Sequence, residues 1–225
     1  MTALSLADGT ETADLAAFLS RLLHYDRSAA VRLQAAGTAL AVFGRPASFE
    51  VLAIRAVRLA KPYEDGLETA LDVTVSAGEF LESVDERTAT AGVPAAVTGP
   101  PWAGVLPPRG GWRPEPGLPA PDALRATVAA AVTEFRSRTA ELAPERRTRA
   151  ELDRIGRDIW SREIARTRLP VRAVHAAQAL GFLRPGADPA DTGLFSSGAW
   201  LRLRTAYGSV AVRRSGLGTL GVSVR

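Results

Sequence analysis

A proline-rich stretch in the middle of the chain limits the fold more than any other feature of the sequence. Nine of the fifteen prolines lie between Pro94 and Pro121, with the blocks Gly99–Trp102 and Pro107–Trp112 among them. Proline fixes its own φ and lacks an amide donor, so regular helix and sheet are excluded from this stretch. The sequence therefore predicts two structured regions on either side of an irregular connector.

The region before the connector has the pattern of one helix followed by an antiparallel sheet. Apolar residues recur at helical spacing over Leu15–Leu23, after a start at Thr10 or Thr12. The alternating, β-branched segments that follow are typical of strands. These strands are predicted at Ala30–Ala35, Ala39–Phe43, Phe49–Leu59 and Leu71–Val75. Arg55 and Arg58 are expected on the solvent side of the longest strand.

The region after the connector predicts helices followed by a β-hairpin. A long amphipathic helix begins at Pro121, and Thr148 with Glu151 has the spacing of a capping box that starts the next helix. The segments that follow are an Ala-rich helix at Val171–Leu180 and alternating strands at Trp200–Arg204 and Val210–Arg213. This order is compatible with a winged-helix-like module and equally with an ordinary small α+β domain.

These patterns predict an α+β protein with three regions. Residues 1–90 form a helix plus an antiparallel sheet, residues 91–121 a Pro/Gly/Trp-rich connector, and residues 122–225 a basic helical domain closed by the hairpin. A chain of 225 residues can bury a core without disulfides or metal, and it contains no cysteine.

No targeting or chemical motif was found in the sequence. No apolar run approaches the roughly 18 to 20 residues that cross a bilayer, so a cytoplasmic protein without a membrane partner is expected. Gly216, Gly218 and Gly221 match the letters of a dinucleotide-binding motif, but too few residues follow to form its helix. No metal and no cofactor is assigned. An enzyme of unrecognised type, with a site assembled from distant segments, stays open.

Charge is distributed unevenly along the chain. Residues 1–120 hold 10 basic and 14 acidic side chains, a net charge of −4, whereas residues 121–225 hold 18 and 10, a net charge of +8. Such asymmetry favours a polyanionic partner, because basic side chains neutralise phosphates. A solvated arginine-rich surface is the alternative.

The preferred interpretation is non-catalytic binding of nucleic acid through the basic region, with a regulatory role as one option. Its candidate phosphate and base contacts lie on the Ala-rich helix and the hairpin: Arg168, Arg172, His175, Arg202, Arg204 and Arg213. A packed core helix with Arg172 at its rim is an equally good interpretation of the helical part. Neither the ligand nor the oligomeric state follows from the sequence, and a homo-oligomer stays open.

The competing interpretation is an adaptor that assembles with an acidic protein. The connector tryptophans, Trp102 and Trp112, are its candidate partner contacts, since a Pro-rich tract can be bound by an aromatic groove. We favour a different role for them, in which the connector is an ordered belt and both rings pack onto the structured regions.

Several segments carry a resemblance to known sequences. They are Pro170–Leu183, Gly198–Leu203, Tyr207–Ser209 and the block Pro107–Trp112. Together they resemble the C-terminal region of a family of uncharacterised actinobacterial proteins. The resemblance implies a bacterial cytoplasmic protein and carries no mechanism.

Overall fold

The computed structural model describes residues 3–65 and 69–214, and its main element is an eight-stranded antiparallel sheet. The strands are β1 (Ala3–Ser5), β2 (Ala30–Ala36), β3 (Ala39–Gly44), β4 (Leu52–Arg58), β5 (Ala70–Ser76), β6 (Val84–Asp85), β7 (Thr90–Gly92), β8 (Arg113–Glu115), β9 (Gly193–Ser197), β10 (Trp200–Thr205) and β11 (Gly208–Arg213). The helices are α1 (Gly9–Tyr25), α2 (Ala77–Glu82), α3 (Pro121–Ala140), α4 (Arg149–Trp160) and α5 (Val171–Ala179). The predicted α+β class is confirmed.

Strands from both sides of the proline-rich stretch belong to this one sheet. Its order is β5-β2-β3-β4-β11-β10-β9-β8, and a separate small sheet has the order β1-β7-β6. The junction is the pairing of β4 with β11, where Val210 lies opposite Ala53. The predicted hairpin forms, but β10 also pairs with β9, so it lies inside the sheet and does not project as the wing of a winged-helix module would.

The helices cover one face of the sheet, here called the inner face. Leu15, Phe18 and Leu22 of α1 are buried in the same core as Val174 of α5 and Leu203 of β10. This core is continuous across the two halves of the chain. Because burial of apolar area stabilises a fold by about 25 cal/mol per Å², this shared core stabilises both halves together.

The proline-rich stretch crosses the opposite, outer face from one edge of the sheet to the other. It begins beside β5, where the Val97 amide donates to the Thr74 carbonyl at 2.9 Å. It then packs Trp102 and Leu106 onto a small cluster that contains Ile54 of β4. The chain next reaches the far edge and pairs with β9 as strand β8. The proline-rich stretch therefore forms the predicted ordered belt, which is the name used for it below.

Three local predictions need correction. Regular sheet is present within the stretch, since Pro114 lies in β8, an edge strand that tolerates its missing amide. The N-cap of helix α1 is Asp8, whose carboxylate accepts a hydrogen bond from the Glu11 amide at 2.9 Å, and not a threonine. Arg55 is not on the solvent side, because carboxylates of α1 surround its guanidinium in the interior.

Candidate nucleic-acid interface

The three hairpin arginines lie on the outer face of the sheet. Leu201 and Leu203 are buried toward the helices, and the period of two in a strand points Arg202 and Arg204 the other way. Arg213 of β11 lies opposite Trp200 of β10 on the same outer face. The predicted inward and outward positions of the hairpin are therefore found.

Each of these arginines contacts an aromatic ring. The guanidinium carbon lies 5.3 Å from the ring centroid for Arg213 and Trp200, 5.7 Å for Arg202 and Trp112, and 4.6 Å for Arg204 and Phe195. Separations within about 6 Å allow cation–π attraction, which holds the cationic groups in place. We call these six residues the arginine–aromatic face.

The belt supplies one of the three rings. The Trp112 indole N–H donates to the Pro108 carbonyl at 3.0 Å, which fixes the ring within the belt. The belt is also attached at this end, because the Ser197 hydroxyl donates to the Gly110 carbonyl at 3.3 Å. Trp112 therefore reaches the hairpin from a segment about ninety residues away because the belt crosses the sheet.

The arginine–aromatic face carries positive charge that the described part of the chain does not neutralise. Within that part, no carboxylate oxygen lies within 4.0 Å of the guanidinium nitrogens of Arg202, Arg204 or Arg213. Partial burial lowers the pKa of Arg202, and the nearby Arg204 lowers it further, although a guanidinium remains protonated at any physiological pH. The Arg202 Nε is buried and has no hydrogen-bond acceptor. An anion at this face would pair with the guanidinium N–H groups of Arg204 and Arg213, which are exposed.

Several arginines on α3, on α4 and directly after α4 are paired with carboxylates. Arg162 donates to Glu134 at 2.6 Å and Arg154 to Glu151 at 2.7 Å, while Arg138 pairs with Asp158. A hydrogen bond from Arg162 holds the pKa of Glu134 below its ordinary value. Much of the basic charge of the second half is thus already paired on these helices.

The predicted helical contacts lie on the other side of the molecule. Helix α5 packs against the inner face of the sheet through residues such as Val174, and Arg172 and His175 line a cleft there together with Trp160. Arg168 is exposed in the loop before α5 and does not line that cleft. The predicted nucleic-acid contacts therefore do not share one surface, since the three hairpin arginines lie on the outer face and Arg172 and His175 lie on the opposite side of the sheet.

The two connector tryptophans have different surroundings. Trp102 packs with Leu106 into the small outer cluster and is half-buried there. Val105, which directly follows the 3-10 turn Pro101–Gly104, is a large apolar side chain that is 46% exposed. Trp112 belongs to the arginine–aromatic face, and Trp102 packs on the same small cluster as Trp200 of that face.

Two members of the face, Trp200 and Phe195, were not predicted as contacts from the sequence. Phe195 lies in β9, a strand that was not predicted because its segment is short and flanked by Gly, Asp and Pro residues. The sequence signal that could have identified this strand is the alternation of Leu194, which is buried, with Phe195, which faces outward. Only the pairing of Phe195 with Arg202 across β9 and β10 reveals its role.

The described residues contain neither a cluster of metal ligands nor a membrane span. Across 3–65 and 69–214, no group of three or more histidine, aspartate or glutamate side chains is gathered as metal ligands. None of the helices in those ranges has the length and apolar character needed to cross a membrane. The glycine motif at Gly216–Gly221 lies outside the described residues.

Comparison with protein families divides the chain within the proline-rich stretch. Residues 1–104 match the family described as Domain of unknown function (DUF8010), and residues 107–217 match Domain of unknown function (DUF8185). Each half of the chain is thus similar to a family of unknown function, which confirms the predicted resemblance to uncharacterised proteins, while their actinobacterial origin stays a prediction. No curated protein and no solved structure matched the chain.

Proposed function

We propose that this protein binds single-stranded nucleic acid, without catalysis, on its arginine–aromatic face. The observation that carries the proposal is the pairing of three arginines with three aromatic rings on one side of a sheet. None of these arginines has a carboxylate partner among the residues described above. A nucleic-acid strand carries phosphates, which bind cations, and bases, which stack on aromatic rings, and this face offers both kinds of group.

The chemistry of the face fits a single strand better than a duplex. Phosphates bind guanidinium groups by charge-assisted hydrogen bonds, and unpaired bases stack on aromatic rings. Bases within a duplex are already stacked on each other and cannot cover Trp200 or Phe195. Base stacking on an aromatic ring contributes about 1–3 kcal/mol per base and depends little on sequence. We therefore expect weak sequence preference.

The proposal rests on the hairpin residues and the belt, and not on the whole predicted set. Arg172 and His175 lie on the opposite side of the sheet, so a short strand bound at the outer face would not reach them. Arg168 is also outside the face.

Fluorescence anisotropy with labelled RNA and DNA of about 12 nucleotides, single-stranded and duplex, tests the proposal across a salt series. The test variant replaces Arg202, Arg204 and Arg213 by glutamine. The matched control replaces three exposed arginines that lie elsewhere, namely Arg27, Arg87 and Arg154, so that both variants lose the same charge.

Single-stranded probes should bind more tightly than duplexes. Each phosphate contact on a single strand contributes about 0.7 to the slope of log K against log salt, so the test variant should lose about 2 units of slope. The control should lose much less. Absence of binding at low salt, or equal losses in both variants, would contradict the proposal.

The adaptor hypothesis has its own outcome in the same assay. The same unpaired arginines could bind carboxylates of an acidic protein, and poly-glutamate serves as the probe for that chemistry. Binding of poly-glutamate that depends on Arg202 and Arg204, with no binding of nucleic acid, would favour the adaptor.

A further inference from the structure

A second site lies on the helical side of the molecule. A cleft of about 840 Å³ opens between α4, α5 and the 3-10 turn at Ala47–Phe49. Sites for small molecules usually have volumes of about 300–1,000 Å³ and combine apolar walls with a few polar groups. This cleft is separate from the arginine–aromatic face, since the sheet lies between them.

The walls of the cleft form a row of aromatic rings. The ring centroid of His175 lies 5.0 Å from that of Phe49 and 4.8 Å from that of Trp160. Phe135 continues the row at 6.0 Å from Trp160, and Tyr25 extends it at 5.1 Å from Phe49. A flat aromatic molecule is the ligand that such a row would stack against.

The cleft also holds positive charge. Arg172 has a buried Nε without a hydrogen-bond acceptor, and neither Arg172 nor Arg157 has a carboxylate within 4.0 Å in the part of the chain described. Arg149 is paired with Asp153 at 3.7 Å, which removes that pair from consideration. Glu50 is the remaining acidic side chain that lines the cleft, so the arginines outnumber it.

A glycine also lines the cleft, beside two of its aromatic rings. Gly156 lies in the interior of α4, where glycine is less favourable than alanine. A Cβ at this position would lie 3.4 Å from Trp160 Cδ1 and 3.8 Å from Phe135 Cε2. The missing side chain therefore leaves space beside the two rings.

We propose that the cleft binds a planar aromatic compound that carries a carboxylate or a phosphate. The ring would stack in the row that contains Trp160 and His175, and the anionic group would accept hydrogen bonds from Arg172 and Arg157. This site is independent of nucleic-acid binding at the outer face.

The state of His175 agrees with this assignment. Burial lowers the pKa of His175 below its ordinary value of 6.5, so the ring is neutral at neutral pH. A neutral imidazole offers one N–H donor and one nitrogen acceptor, and it stacks without adding a further charge.

Isothermal titration calorimetry tests the site with two anionic probes, 2-naphthoate and 1-naphthyl phosphate, and with neutral 2-naphthalenemethanol. At least one anion should bind, and the anion that binds more tightly indicates whether the ligand of the cleft carries a carboxylate or a phosphate. The neutral probe should bind about tenfold or more weakly than that anion, because it lacks the charge-assisted hydrogen bonds. Arg157→Gln, at an exposed position, and Arg172→Gln should each weaken the anion by about tenfold or more.

Two controls separate this site from other surfaces. Arg154→Gln changes an arginine of the same helix that is paired with Glu151 and does not line the cleft, so it should leave the affinity unchanged. The variant that removes Arg202, Arg204 and Arg213 should also bind the anions normally. The proposal is overturned if neither anion binds, or if the anions bind with affinities that do not respond to Arg157 and Arg172.

Discussion

Replacement of Arg55 by methionine should destabilise the fold substantially. The Arg55 side chain is 7% exposed, and its guanidinium donates to Glu11 at 3.0 Å, to Asp14 at 3.4 Å and to the Tyr207 carbonyl at 2.7 Å. These contacts connect α1, β4 and the turn between β10 and β11. Arg55 therefore links the two halves of the chain beside the β4–β11 junction.

The size of the stability loss follows from the carboxylates that would stay buried after the substitution. Loss of one partner of a buried ion pair costs about 3–5 kcal/mol, because the other charge stays buried without compensation. Here Glu11 keeps Arg58 at 2.9 Å and Asp14 keeps Arg184 at 2.7 Å, so the lower end of that range, about 3 kcal/mol, applies. For a chain of 225 residues this corresponds to a fall in Tm of about 6–12 °C.

Thermal unfolding followed by circular dichroism gives the Tm of the variants. Arg58→Met is the matched control, since Arg58 pairs with Glu11 as well but is 71% exposed, and it should lower the Tm several-fold less. A fall of less than about 2 °C for Arg55→Met, or equal falls for both variants, would refute the idea that burial makes this network important.

Three further outcomes are expected. Gly208→Ala should destabilise the protein by about 1–3 kcal/mol in chemical denaturation, because a Cβ there would lie 2.6 Å from the ring of buried Phe182; a neutral result would show that the ring has room to move. Because the pKa of His175 is lowered in the folded protein, the unfolded state binds more protons below about pH 6.5, and the Tm should fall on acidification from that pH until the folded-state pKa is passed. His175→Gln should flatten this part of the plot of Tm against pH. An unchanged plot would assign the effect to other groups. Residues 1–104 and 107–217, produced separately, should each lack a cooperative unfolding transition in calorimetry, because β4 and β11 lose their pairing and the core is divided. A cooperative transition in each fragment would contradict the shared core.

Local features of the fold could be predicted from the sequence. Thr148 starts α4 as expected, and its hydroxyl accepts the Glu151 amide at 3.3 Å. The Glu151 side chain bonds Arg154 instead of returning to the cap, so only half of the capping box forms. Strands β2, β3, β10 and β11 also match their predicted positions, because side-chain alternation and turn residues are encoded within a few neighbouring positions.

Long-range features could not be predicted in this way. The alternation in β4 shows that Arg55 and Ile54 face opposite sides, but it does not tell which side is covered by helices. The pairing of Ile54 with Ser209 joins segments more than 150 residues apart, and no local pattern specifies it. The contact of Trp112 with Arg202 likewise depends on the path of the belt across the sheet.

The candidate site was predicted in part for the same reason. Alternation in the hairpin correctly placed Arg202, Arg204 and Arg213 on one side, because Arg213 pairs with Trp200, which lies two residues before Arg202 on the same face of β10. It could not show that Arg172 lies beyond the sheet. That separation depends on which face α5 covers, and this is a property of the packed core.

Photo-cross-linking of a single-stranded RNA that contains 5-iodouridine, followed by mass spectrometry of the peptides, tests nucleic-acid binding at the outer face most directly. The proposal predicts cross-links to Trp112, Phe195 and Trp200, and their loss in the variant without Arg202, Arg204 and Arg213. Cross-links concentrated at Tyr25 and Trp160 in the helical cleft would contradict it.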